Sequence, residues 1–194
     1  MHLDVVNVIA TVGTFVVIAA SAVAALIQLR HMRGSNQITA LNEFRETLES
    51  GEISDAQRFV SFVLPERMLD QAERLKMITL PFSGDYEKIG TIANLFESLG
   101  EFVKIGIIDA KIACDIWGVV VVRNWNALSP LTTYIRTTLG IPQLWENFEY
   151  LTILAKRYLE RYPNGTYPSN MPRMPEDRRL LDTIKQDPGP RPTP

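Results

Sequence analysis

Two pairs of glutamates at helical spacing, Glu97 with Glu101 and Glu146 with Glu149, and a lone arginine ending an apolar run, Arg123, are the residues of this chain best placed to do chemistry. Carboxylates without other donors suit oxygen-loving divalent ions such as magnesium, calcium or manganese. Arg123 shares a helical face with Ile116, Val119 and Val120, so part of its stem should be buried, and a buried guanidinium without a carboxylate is costly. The expected polar cluster therefore joins Arg123 to Glu97, Glu101 or Glu149. The competing reading is a solvated acidic face beside an arginine that bonds helix-end carbonyls, because like-charged glutamates one turn apart are ordinary on exposed helices.

Most other chemistry is excluded by what the chain lacks. Its two histidines, His2 and His31, sit near the amino terminus and just after the first apolar run, away from the carboxylates. Serine–histidine and cysteine–histidine nucleophile pairs need the base within hydrogen-bonding reach. Glu146-x-x-Glu149 lacks the imidazole of a di-iron bundle. Cys114 is the only cysteine, which excludes an intramolecular disulfide and a cysteine-based zinc cluster. There is no glycine-rich phosphate loop. No catalytic residue, metal ligand or cofactor is expected. Trp117, Trp125 and Trp145, with Phe148 and Tyr150, supply large apolar surface; Trp125 and Trp145 are candidates for a partner surface if they are exposed together.

The elements that must position these residues are helical. After Asp85 as a cap, the stripe Ile89, Ile92, Ala93, Phe96, Leu99, Val103 marks the strongest amphipathic helix, ended by Gly106 with Ile107 available for the accompanying apolar contact. Asp109 caps the next helix, 110–128, apolar nearly all round and therefore expected at the centre of a bundle. Ser129-Pro130 should break it before a short helix over 131–139. A last long helix carries Leu144, Trp145, Phe148, Leu151, Ala155, Tyr158 and Tyr162, with acids early and bases late as the helix dipole favours. Upstream, Ile38, Leu41, Phe44 and Leu48 predict a stalk helix over 30–50 with a weak point at Gly34. Ser54 and Gln57 read as a capping box starting a helix at 55, with Ala56, Phe59, Val60 and Val63 inward and Pro65 closing it. A peripheral helix over 66–79 would use Met68, Leu69, Ala72, Leu75 and Ile78.

From Val5 to Leu29 the chain runs twenty-five residues without a charge. At about 1.5 Å per residue such a helix crosses a hydrocarbon core of about 30 Å with some tilt. Ala20 with Ala24 and Ser21 with Ala25 form a small-residue face on which another membrane helix could pack closely. Arg30 and Arg33 follow as a basic collar, whereas the four residues before the span hold Asp4 and no lysine or arginine, so residues 1–4 should lie outside and the domain inside. A cleaved signal is the alternative, since Ala20-Ser21-Ala22 and Ala22-Val23-Ala24 resemble cleavage sites; the non-basic start and the length of the run argue against it.

The net charge of −2 and pI of about 5.8 give no electrostatic footprint for nucleic acid. From Pro163 onward the chain holds eight of its twelve prolines and few apolar residues, so 163–194 is expected to be a disordered tail. Three stretches resemble the small bacterial membrane-anchored helical proteins grouped as domain of unknown function 4760: the span ending Ile27-Gln28-Leu29-Arg30, the segment from Leu95-Phe96-Glu97 through Val103-Lys104-Ile105-Gly106-Ile107-Ile108-Asp109, and Trp145-Glu146-Asn147-Phe148-Glu149-Tyr150-Leu151. The resemblance implies a single anchor and a helical domain, and carries over no reaction, ligand or catalytic residue.

The expected architecture is all-α: a transmembrane helix over 5–29, a juxtamembrane stalk over 30–50, a cytoplasmic bundle over 51–162 and the tail. The expected setting is a bacterial inner membrane crossed once. The expected partners are the lipid bilayer and a membrane protein or a second copy of the chain, with the protein serving as an adaptor or accessory subunit. A carboxylate-metal enzyme and a signalling or defence module that oligomerises through its stalk are the alternatives.

Overall fold

A computed structural model of the protein describes residues 2–179; Met1 and residues 180–194 lie outside the described residues, as do the side chains of residues 2–12 and of Arg33. Among the described residues all regular structure is helical. Helix α1, His2–Leu48, is followed by α2, Gly51–Arg58, a π-helical turn at Phe59–Val63, α3, Leu64–Arg67, and α4, Gln71–Met77. A 3₁₀ turn at Gly84–Tyr86 leads into α5, Glu87–Lys104; α6, Ala110–Leu139, and α7, Glu146–Arg161, complete the body.

The expected span and stalk are one helix. Gly34 does not interrupt α1, because a single glycine costs a helix only about 1 kcal/mol and the flanking turns supply their hydrogen bonds. Its two halves differ in surroundings: every described side chain from Gly13 to Asn36 is exposed, whereas Phe44 is buried and Leu41 and Leu48 pack against the core. Phe44 stands 4.6 Å from Trp117 and 6.2 Å from Phe96 between ring centroids.

Several boundaries differ from expectation for local reasons. Ser50, not Ser54, caps α2, accepting from the Ile53 N–H at 3.3 Å. Pro65 does not close that segment but sits in the first turn of α3, where a missing N–H is harmless. The π turn before it, in which the Leu64 N–H reaches the Phe59 carbonyl, inserts one residue into the helical register, so Leu64 is buried where Val63 was expected. The peripheral segment is split by Asp70, which caps α4 through the Ala72 and Glu73 N–H groups. Leu69, Ala72 and Leu75 face outward there and Met77 is the buried residue. Asp85 does not cap α5 but pairs with Arg67 and Lys88.

Helix α6 runs through Pro130 instead of breaking. The proline leaves the Asn126 carbonyl without its usual partner, and the Ser129 hydroxyl donates to that oxygen at 3.4 Å. Helix α6 is also not apolar-buried all round. Ala113, Trp117, Val121, Leu128, Leu131 and Ile135 turn inward, while Ile112, Ile116 and Val119 are exposed.

The remaining landmarks match the pattern. Every residue of the α5 stripe is buried, as are Trp145, Phe148, Leu151 and Ala155 on α7 and its lead-in. Asp109 caps α6 through the Lys111 and Ile112 N–H groups. Gly106, at φ +76°, ends α5 in the left-handed conformation that closes a helix, and the Ile107 N–H returns to the Phe102 carbonyl at 2.9 Å, but the apolar contact expected of Ile107 falls to buried Ile108 while Ile107 is exposed.

The chain divides into two compact units, Met1–Pro163 and Asn164–Pro194. In the described part of the second, Arg173 donates to the Asn164 carbonyl and lies 4.8 Å from the centroid of the Tyr167 ring, whose hydroxyl donates to the Pro172 carbonyl. The remainder of the expected tail, 180–194, is outside the described residues.

Candidate functional site

The residues expected to form a polar cluster meet in part, around the start of α7. That helix begins without a cap of its own: its N-cap residue, Trp145, has φ 56° and ψ 38° and offers no side-chain acceptor. The exposed N–H groups of a first turn carry positive partial charge and need an acceptor. Glu97, from α5, provides it. One carboxylate oxygen accepts from the Phe148 N–H at 2.8 Å and the other from Asn147 Nδ2 at 2.9 Å.

The reach is possible because α5 presents Gly100 to α7. A Cβ there would lie 2.1 Å from the Asn147 carbonyl oxygen, so only glycine admits this approach. Asn94 Oδ1 accepts from Trp145 Nε1 at 3.1 Å and Lys104 donates to Asn147 Oδ1 at 3.0 Å. From the other side Arg136, on α6, donates through Nε to the Leu144 carbonyl at 2.9 Å and pairs through Nη1 with Glu149 at 2.7 Å. Its guanidinium lies 5.9 Å from the centroid of the Trp125 ring, and its Nη2 is buried without a hydrogen-bond partner.

The cation of the cluster is therefore Arg136 and not Arg123. Arg123 is exposed, and among the described residues no ion pair joins it to Glu97, Glu101 or Glu149. It borders a shallow hollow with Arg58, Ser54 and Phe62. Its shared face with Ile116 and Val119 is real, but that face of α6 points outward. Glu101 is exposed and takes no part. The two tryptophans are not exposed together: Trp145 is buried, stacked on Phe82 at 6.3 Å, and Trp125 is half-buried, edge-on to Phe148 at 5.0 Å. Ala20, Ser21, Ala24, Ala25 and Arg30 are all exposed on α1; the Arg33 side chain is outside the described residues.

Chemically this cluster is a clasp. Both oxygens of Glu97 are committed to the α7 start, and among the described residues no three His, Cys, Asp or Glu side chains gather as metal ligands. The sequence reading missed Asn94, Gly100, Asn147 and Arg136; a glycine inside an otherwise apolar helical stripe was the one signal that could have pointed to close helix approach.

A second polar group ties α3, α4 and the 3₁₀ turn. The Arg67 guanidinium pairs with Asp85 at 2.9 Å and lies within 5.6 Å of the ring centroids of Phe59 and Tyr86. Glu73 accepts from Lys76 at 2.6 Å and from the Tyr86 hydroxyl. The bond from Lys76, then that from Tyr86, hold the Glu73 carboxyl below its usual range; Arg67, then Lys88, do the same for Asp85. Buried Cys114 has its thiol pushed up to about 11, by burial first and by the Asp109 charge second, so it stays protonated and is a packing residue rather than a nucleophile.

No curated protein and no solved structure matches the chain. A profile of the family described as Domain of unknown function (DUF4760) matches residues 15–154, which takes in α1 from Phe15 onward, the clasp and the first half of α7. The chain belongs to that family.

Proposed function

We propose that the protein is a membrane-tethered helical interaction module, an adaptor or accessory subunit held at the inner face of a bacterial plasma membrane. The observation that carries this reading is the contrast along α1. Its stretch from Gly13 is long and apolar enough to cross a membrane, none of that apolar window is covered by the body, and the same helix continues into the core at Phe44. Apolar side chains left bare over that length are stable in lipid and costly in water. The groups of the clasp are spent on holding α7 to α5 and α6, and a binding role draws on surface elsewhere. Exposed apolar side chains remain for it, including Phe62 at 73% exposure and Val119 at 65%.

The basic collar of Arg30 and Arg33 supports an outside amino terminus, and the face of Ala20, Ser21, Ala24 and Ala25 supports close packing with a partner helix or a second copy. Alkaline carbonate extraction of membranes from cells expressing the full chain tests the anchor: the protein should stay in the pellet. A soluble polypeptide beginning after Ala22 or Ala24 would overturn it. Purification in mild detergent tests the partner. The full chain should co-purify with another membrane protein or as a dimer, and Ala20→Leu with Ala24→Leu should release it while membrane retention is kept.

A further inference from the structure

The turn between α5 and α6 presents two isoleucines to solvent, Ile105 at 61% and Ile107 at 41% exposure. It is a firm turn: Gly106 sets its bend, the Ile107 N–H is bonded to Phe102, and fully buried Ile108 roots it in the core. Two neighbouring apolar side chains held outward on such a turn offer a small apolar wedge to whatever lies beside it. The same turn borders a hollow with Asn36 and Gln37 of α1.

Asn36 follows Leu29 by seven residues, about 10 Å along a helix. The headgroup layer extends about 5–8 Å beyond the hydrocarbon on each side. A run of twenty-five residues is longer than the core needs, and the excess is taken up by tilt, which lowers one side of the body toward the surface.

A basic groove lies at the same end of the bundle. Phe44 meets Trp117, and moving from that level toward Asn36 on α1 corresponds to moving toward Lys111 on α6. The end of α7 packs there, so Lys111, Arg157 and Arg161 line one groove with Tyr158 and Tyr162. The acids near it, Asp109, which caps α6, Asp115, which accepts from the Tyr158 hydroxyl, and Glu160, are all exposed, and none of them lines the groove. Apolar wedge, tyrosines and cations are the elements that settle a protein face into an anionic membrane interface.

We infer that the Ile105–Ile107 turn and the Lys111, Arg157, Arg161 groove dock onto anionic phospholipid headgroups of the bilayer that holds α1, so that the body lies against the membrane instead of standing off it. This rests on the anchor reading above.

The full chain is reconstituted into vesicles of phosphatidylcholine alone or mixed with phosphatidylglycerol, carrying Cys114→Ala and Ile107→Cys with a polarity-sensitive dye on residue 107. Flotation reads the anchor and the dye reads the docking. The expected result is flotation in both lipids, with blue-shifted emission quenched by lipid-borne nitroxides only when phosphatidylglycerol is present. High salt should release the dye to water, as should the combined Lys111→Glu, Arg157→Glu and Arg161→Glu variant. Should that variant misfold by circular dichroism, the salt release of the otherwise unaltered chain decides. A floating chain whose dye reports water in both lipids overturns the docking alone. So does a dye shielded equally in both, and the mass of a dimer would then make a second copy the occupant. A chain that does not float overturns both readings.

Discussion

The amino-terminal half of α1 and the α5–α7 bundle are built from the same apolar side chains and treat them oppositely. Phe15 is 71% exposed while Phe96 has no exposed surface, yet one continuous backbone leads from the first environment to the second. The lesson is that residue type does not say which solvent a helix was selected for; the distribution around the helix does. Where apolar residues occupy one stripe, as on α5, they meet other helices. Along 5–29 of α1 they go all round.

The largest test of that contrast is a matched pair. Phe96→Ala removes a ring packed between Phe44 and Phe148 and should cost the bundle about 3–5 kcal/mol, read by denaturant unfolding in detergent. Phe15→Ala should leave that transition within about 0.5 kcal/mol. Equal losses would break the comparison.

Glycine sharpens it with a change of sign. Gly100→Ala forces a methyl into the Asn147 carbonyl and should destabilise the body by about 1–3 kcal/mol. Gly34→Ala meets nothing within 4 Å and should stabilise α1 by up to about 1 kcal/mol, seen as slower amide exchange around residue 34.

Carboxylates give a third pair inside the bundle. Glu97→Ala leaves the Phe148 N–H without its acceptor and should cost about 1–3 kcal/mol, whereas exposed Glu101→Ala should be near neutral.

The smallest effect is that of pH. Glu73 and Asp85 have folded-state pKa values below their ordinary 4.5 and 3.8, so each contributes stability that is complete above those values and lost as pH falls through the lowered ones. The unfolding midpoint should therefore drop as the solution is acidified below pH 4.5, less so in Glu73→Gln with Asp85→Asn. Both groups are solvent-exposed, so added salt should blunt the difference.

The helices were legible wherever one-sided patterning met an unambiguous cap: the α5 stripe, Asp109 and Gly106 all stand as expected. Each proline departs from expectation for its own reason: Pro65 sits in the first turn of α3, where its missing N–H is harmless, and the Asn126 carbonyl freed by Pro130 takes the Ser129 hydroxyl inside α6. The clasp was half legible. Glu97 and Glu149 could be named, but selecting Arg136 over Arg123 required knowing how α6 folds back on α7 across the Gly140–Trp145 connection, which no periodicity encodes. A segment apolar nearly all round, as over 110–128, offers little basis for deciding which side faces in, and Arg123 lies on the side that faces out.

Because α1 passes Gly34 unbroken and ends with Phe44 wedged between Trp117 and Phe96, its rotational phase is shared from one end to the other. Each added residue advances a helix by about 100° and 1.5 Å. A single insertion near Gly34 would swing the Ala20–Ala24 ridge around to a different side while leaving the body's own interior intact, so the compass bearing of one relative to the other is set by the exact count of residues in between.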